Sequence, residues 1–434
     1  MISLIEALNY RCLRYVRQPL KPFHVLVGPN ASGKSTFLDV IGFLHDLVTD
    51  GLDVAIENRS ANFYDLLWRH EQNGFELAVE AAIPSPQLRL HQSSGYDTVR
   101  YEIAILLDPA TNELGIRAER GMLRNADSQA AAETRQPPMS RGISDATLRE
   151  QNRQDIRLVF EAPLTPADFR AKFGFDLGSR DEIAVWAMEG EGRTKADVFY
   201  SSFNIKKSLL ATTPPDEFVF PVSTWLRRLF AEGVRRIALD PDQLRRPSPP
   251  GKTSGFKPDG SNIPWVVAHL ERRSPERHKE WIQHLQTALP DLVNVTTIDR
   301  PEDRHRYLSL EYRDGLKVPS WIASDGTLRL LALTLPAYME RFDGIYLVEE
   351  PENGIHPLAI ETMYQSLSSV YDAQVLMATH SPIILGITKL EGVLCFRKDE
   401  AGATAVVAGT EHPELRDWHG EVNLGTLFAS GVLG

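Results

Sequence analysis

Cysteine is almost missing: the 434 residues include only Cys12 and Cys395. Two thiols cannot build a disulfide framework or a four-cysteine zinc site. Positive charge is in deficit, with 47 Lys+Arg against 58 Asp+Glu and a net charge of −11. That balance argues against coating nucleic acid by bulk charge, though not against a local basic groove. No stretch approaches ~18 consecutive apolar residues, so no transmembrane helix and no membrane partner are expected. The start, MISLIEALNYRCLRYV, lacks an uninterrupted apolar segment behind a basic one. No export signal is expected, and a reducing cytoplasm is the expected compartment. Internal repeats and sustained heptads are also missing, which excludes a solenoid or a long coiled coil.

What remains is a globular composition, 42% hydrophobic and 24% charged, long enough for two or three domains or one domain with a large insertion. Ile2 to Tyr15 reads as strand, polar turn, strand, and Phe23-His24-Val25-Leu26-Val27 as a buried strand. Thr36 to Leu47 carries Phe37, Leu38, Val40, Ile41, Leu44 and Leu47 at helical spacing. Residues 75–83 and 99–107 alternate like half-exposed strands. Residues 120–155 are polar and read as a connector, and Arg245 to Pro264 is punctuated by Pro, Gly and Ser. Helices then alternate with short apolar strands to the end.

Between the strand at 23–27 and the helix at 36–47 stands Gly28-Pro29-Asn30-Ala31-Ser32-Gly33-Lys34-Ser35, which fits G-x-x-x-x-G-K-[ST]. Glycines let successive N–H groups turn toward an anion, and the following helix points its positive end at the same place. Lys34 can reach the β- and γ-phosphates of a nucleotide, and the Ser35 hydroxyl can ligate Mg²⁺. The expected nucleotide contacts are Asn30, Ala31, Ser32, Gly33, Lys34, Ser35 and Thr36.

A second apolar run, Ile345-Tyr346-Leu347-Val348, ends in Glu349-Glu350. Carboxylates delivered to a strand tip suit one metal-side acid and one base that polarises the attacking water. Adjacent residues on a strand point to opposite faces, but at the tip the chain is turning and both side chains can face the nucleotide. Glu350-Pro351-Glu352-Asn353-Gly354-Ile355-His356-Pro357 follows, then a helix, the strand 373–377, and Thr379-His380-Ser381-Pro382. A histidine there can hydrogen-bond a γ-phosphate oxygen. Upstream, Ala323-Ser324-Asp325-Gly326-Thr327 opens an apolar helix, with Ser324 as N-cap.

The ordered set GPNASGKS, SDGT, VEEPENGIHP and ATHSP resembles the ABC-type ATPase heads of the SMC, RecF and OLD families, and most of all the prokaryotic OLD-like AAA family ATPases. The similarity spans about residues 1–110 and 256–434 and includes Asp259-Gly260-Ser261-Asn262. It implies an α/β fold: a P-loop ABC-type head with an antiparallel β subdomain. The two halves of the head fall at 1–110 and 256–434, around an inserted α/β lid or arm at 111–255. It further implies ATP and Mg²⁺ as ligands, with Lys34 and Ser35 on phosphate and metal, Glu349 on the metal side, Glu350 as catalytic base and His380 as switch histidine. Ser324, Asp325 and Gly326 would form the signature that reaches ATP bound by a second subunit, giving an ATP-sandwich homodimer or a higher oligomer built from it.

Three features depart from the pattern: Glu349 replaces the usual Asp, SDGT replaces Ser-Gly-Gly-Gln, and no Q-loop glutamine is obvious. Gln72 lies in Glu71-Gln72-Asn73-Gly74, which reads as a hairpin turn. OLD nucleases carry an acidic nuclease domain. The tail after His380 reads instead as two edge strands and a short helix, so no nuclease activity is expected in this chain.

Arg227-Arg228, Arg235-Arg236, Arg245-Arg246 and Arg272-Arg273 recur through the middle. They fit a lid touching nucleic-acid phosphates, solvated faces paired with nearby acids, or a lid that docks a partner protein. Three roles therefore compete. One is an ATP-hydrolysing switch for a separate effector protein, as in prokaryotic antiviral defence. The second is a RecF-like clamp that grips duplex DNA, and the third is a transporter ATPase subunit. A continuous positive stripe would favour the clamp, and a neutral or acidic groove the switch.

Overall fold

The computed structural model describes residues 1–91, 95–125, 156–164, 183–187, 198–214, 216–251, 255–415 and 423–431. Two units are distinguished by their internal contacts. The first comprises Met1–Leu20, Thr36–Glu232 and Lys398–Val406, and the second Lys21–Ser35, Gly233–Arg397 and Val407–Gly434.

The first unit is built on β1 (Ile2–Tyr10) and β2 (Leu13–Pro19), the strand pair expected at the start. β3 (Phe23–Val27) belongs to the second unit. β4 (Gly74–Ala82), β5 (Thr98–Leu107) and β6 (Leu114–Arg124) continue the first unit's sheet, followed by β7 (Ile156–Leu164), β8 (Ile183–Ala187) and β9 (Val198–Ser202). The eight strands lie in the order β2-β1-β4-β5-β6-β7-β8-β9, all antiparallel. Strands from the segment 111–255 thus extend the sheet begun by β1. Of the connector expected over 120–155, residues 126–155 lie outside the described residues.

Two expectations need correction here. Thr98 through Ile105 are all buried, so β5 is not half-exposed. Its polar positions are paired: Arg100 meets Glu6 at 2.6 Å, Glu80 at 3.1 Å and Glu102 at 2.5 Å. A charge goes inside when it is paired and hydrogen-bonded, so alternation of residue type did not report exposure. Glu71–Gly74 is not a hairpin either; it leads from a 3₁₀ turn at Trp68–His70 into β4, with Gln72 exposed.

In the second unit β10 (Val234–Ile237), a three-stranded antiparallel sheet of β11 (Leu292–Asp299), β12 (Arg306–Tyr312) and β13 (Lys317–Pro319), and then β14 (Ile345–Glu349), β15 (Gln374–Ala378) and β16 (Val393–Lys398) follow in chain order. β10, β14, β15, β3 and β16 lie side by side in that order and run parallel. All of β15, and β14 and β3 but for one residue each, are buried, as parallel strands covered on both faces must be. The helix Asp325–Thr334 buries Leu328, Leu330, Leu331 and Leu333 in this core, and Trp281 donates to the Thr334 hydroxyl at 2.8 Å. β16, β17 (Thr404–Ala408) and the helix Leu424–Ala429 form the tail, but only β17 is an edge strand: β16 pairs with β3 and lies between it and β17, with Val393–Phe396 buried. Among the described residues no helix is long and apolar enough to cross a membrane.

Candidate active site

β3 ends at Val27, and the chain leaves the sheet through Gly28. A Cβ on Gly28 would lie 2.1 Å from the Phe396 carbonyl oxygen, so only glycine passes there. Ala31 (φ 60°) and Gly33 (φ 105°) take left-handed backbone, which turns amides of the loop toward a common centre. The helix Lys34–Thr49 begins at once, with its first N–H groups unpaired within the helix. The Lys34 ammonium donates to Gly28 O at 2.7 Å and Pro29 O at 3.0 Å. Burial lowers its pKa to about 8, against the pull of Glu350, Glu349 and Glu352. Asn30 and Ser35 are exposed, Ser32 is buried, and Thr36 is partly buried with its hydroxyl accepting from the Cys12 thiol at 3.3 Å.

The tips of three neighbouring strands stand level. Glu349 is opposite Ala378, and Ala378 is opposite Leu26. The backbone ladder runs on past the strands: Glu350 N–H donates to Ala378 O at 2.8 Å, and Thr379 N–H to Leu26 O at 3.0 Å. Glu350 itself is left-handed (φ 46°), rare for a residue with a side chain. Asn353 pins it from below, donating from its backbone to Glu350 O at 3.1 Å and from Nδ2 to Oε2 at 2.6 Å. Oε1 lies 3.6 Å from His380 Nε2. Burial, and then the Lys34 ammonium, hold the His380 pKa below its usual value, while Glu350 and Glu352 oppose them.

The two adjacent carboxylates do not share one direction. Glu349 Oε1 accepts from Arg236 Nη2 at 2.7 Å, whereas Glu350 faces Asn353 and His380. Sequence reasoning missed Arg236, Asn353 and Glu352. The Glu352 Oε1 accepts from the Thr379 hydroxyl and the His380 N–H, and its Oε2 is buried without a hydrogen-bond partner among the described residues. The run Glu350 to His356 carried a signal for Glu352 and Asn353; Arg236 stood out only as a member of an arginine pair, with nothing local to link it to Glu349.

At the proposed signature, the Ser324 hydroxyl caps its helix, accepting from Thr327 N–H at 3.1 Å. Asp325 is taken by Arg245, at 2.9 Å from Nε and 2.6 Å from Nη2. Gly326 abuts the loop after Glu350: a Cβ there would stand 2.6 Å from Gly354 O. Ser324 is exposed, as are Leu316, Trp321 and Ile322 near it in sequence. A hollow of about 740 Å³ lies beside Ser324 and Thr327. Four members of the arginine pairs have separate partners within the chain. Arg228 meets Glu217, Arg227 the Thr213 carbonyl, Arg236 Glu349 and Arg245 Asp325.

The fold resembles an Smc head bound to the C-terminal winged-helix domain of ScpA at 12% identity, covering 94% of this chain and 96% of that chain, with a TM-score of 0.51. Lower scores relate it to the Smc head with an extended coiled coil bound to the C-terminal domain of ScpA from Pyrococcus furiosus (12% identity, 94% and 95% covered, TM-score 0.46). The SMC head domain from Thermotoga maritima follows (10% identity, 94% and 98% covered, TM-score 0.41). No curated protein matches the sequence. The architecture is the SMC-head, ABC-type P-loop fold. Residues 23–84 and 134–386 match the family described as AAA domain, putative AbiEii toxin, type IV toxin–antitoxin system, and the chain belongs to that ATPase family.

Proposed function

We propose that the chain binds ATP in the loop 28–35, hydrolyses it, and uses the cycle to close a homodimer that switches a separate effector protein. The observation that carries this reading is the meeting of Lys34, Glu350 and His380 at three level strand tips. Glu350 acts as base. Asn353 holds one of its oxygens, and the other takes a proton from the attacking water as the bond from the γ-phosphorus to the ADP oxygen breaks. His380, kept neutral, offers a ring N–H to the γ-phosphoryl oxygens, and Lys34 meets the charge that builds there. Mg²⁺, held by the exposed Ser35 hydroxyl and Glu349, would supply Lewis-acid neutralisation of the phosphate oxygens. Among the described residues no three His, Cys, Asp or Glu side chains form a metal cage, which fits an ion held largely by substrate and water.

The exposed Ser324, with Leu316, Trp321 and Ile322 nearby in sequence, supports a second copy meeting the nucleotide through the signature Ser324, Asp325 and Gly326. The separate effector is supported by the toxin–antitoxin description of the family and by the Smc head that holds a winged-helix domain. We assign the lid role to 111–255 outside β10, which belongs to the parallel sheet, no nuclease chemistry to this chain, and the cytoplasm as compartment. The clamp reading is weaker because arginines 227, 228, 236 and 245 are engaged within the chain. The test is steady-state ATPase with and without duplex DNA, alongside Glu350→Gln. Glu350→Gln is expected to bind ATP, turn over at least ~100-fold more slowly and collect as dimer by light scattering. Near-normal turnover would assign the base elsewhere, and salt-sensitive DNA stimulation would restore the clamp.

A further inference from the structure

A hollow of about 600 Å³ opens elsewhere in the second unit, lined by Arg235, Arg273, Arg341, His269, Val266 and Leu270 among others. None of its lining residues belongs to the loop 28–35 or to the tips at 349–350 and 380. Its charge runs against that of the chain, which is −11 overall. The one acid among the described lining residues, Glu340, is 3.3 Å from His269 Nε2, and Arg341 pairs with Asp343 at 2.9 Å. Arg273 is exposed and has no ion-pair partner among the described residues. The Arg235 guanidinium lies 3.6 Å over the Phe342 ring and reaches the Tyr346 hydroxyl at 3.3 Å; neither neutralises it. A Cβ on Gly255 (φ 84°) would come within 2.8 Å of Arg235 Nη2, so the glycine leaves the fork its space. Val266 and Leu270 are buried and supply an apolar wall.

A guanidinium fixed on an aromatic face is preorganised for a carboxylate or phosphate. The volume is that of a small-molecule pocket and too small for a duplex groove. We propose that this hollow binds a small organic anion, a phosphate- or carboxylate-bearing molecule with an apolar or planar body. The site also has a route to the nucleotide. Arg235 and Arg236 are neighbours on β10, and neighbours on a strand face opposite ways. One lines the hollow and the other holds Glu349, so an occupant acts on the strand that positions that carboxylate.

The probe is phenyl phosphate, titrated calorimetrically into the full chain with ADP in excess to fill the loop 28–35. One-to-one binding is expected, about tenfold weaker in Arg273→Gln, the loss of one charge-assisted hydrogen bond. Arg272→Gln, which removes the neighbouring charge outside the lining, should leave the affinity within about twofold. Inorganic phosphate, lacking the ring, should bind at least ~10-fold more weakly. No binding up to ~10 mM phenyl phosphate, or equal losses in the two variants, would overturn the assignment.

Discussion

The Glu352 carboxylate fixes His380 by its backbone: Oε1 accepts the His380 N–H at 2.9 Å and the Thr379 hydroxyl at 2.6 Å. Glu352→Ala strands both donors, a cost of about 1–3 kcal/mol in stability. Turnover should fall by at least ~10-fold while nucleotide affinity stays within about threefold, because the histidine loses its setting and the loop does not. Glu352→Gln, which keeps an acceptor, should restore most of the rate. A change confined to nucleotide affinity would show that Glu352 serves the loop.

Lys34 should take up a proton when nucleotide binds in mildly alkaline solution. Burial sets its pKa near 8, below the ordinary 10.5. Phosphate beside it favours the charged form and raises that value. At pH about 9 the free amine is mostly neutral and gains a proton; at pH about 6 it is already charged and gains none. Calorimetry in two buffers of different ionisation enthalpy reads this directly, and Lys34→Ala should lose both the uptake and tight binding. The same shift bears on folding. The unfolded chain binds this proton up to pH 10.5 and the folded chain only up to about 8, so this group's contribution to stability rises with pH across that window.

Gly326→Ala should be costly for a reason unrelated to helix propensity, which favours alanine. The new methyl would sit 2.6 Å from Gly354 O, a backbone atom that cannot swing away. A loss of about 1–3 kcal/mol is expected, seen as a lower Tm, with slower turnover because Gly354 closes the loop that begins at Glu350. An unchanged Tm would mean that this backbone contact yields freely.

Arg236→Ala should lower the Mg²⁺ concentration needed for half-maximal turnover. The guanidinium holds Glu349 at 2.7 Å with its own side chain 58% exposed, so the pair is weak and a cation can compete for the carboxylate. Removing an exposed pair of this kind shifts the midpoint by about 2- to 5-fold. A higher midpoint would make Arg236 a support for the metal.

The phosphate loop and the two acidic and histidine-bearing tips were legible in the sequence because each is a contiguous run: a strand that must be buried, then the residues it delivers. Lys34, Glu350 and His380 could be named on that basis. Arg236 could not, because its partner lies 113 positions away and is reached only through the pairing of β10 with β14. Nor did the sequence mark Arg245 as the partner of Asp325, 80 positions away. The burial of β5 was hidden because Arg100 and Glu102 look like solvent-facing residues until Glu6 and Glu80 are brought beside them.

β3, β14 and β15 are each five residues long and end level. They serve as matched rulers. A residue deleted from any one would draw its tip back by about 3.3 Å and turn its terminal side chain to the other face of the sheet. The chemistry at their ends therefore tolerates changes of residue type within the strands far better than changes of strand length, and insertions are admissible only in the connections between them.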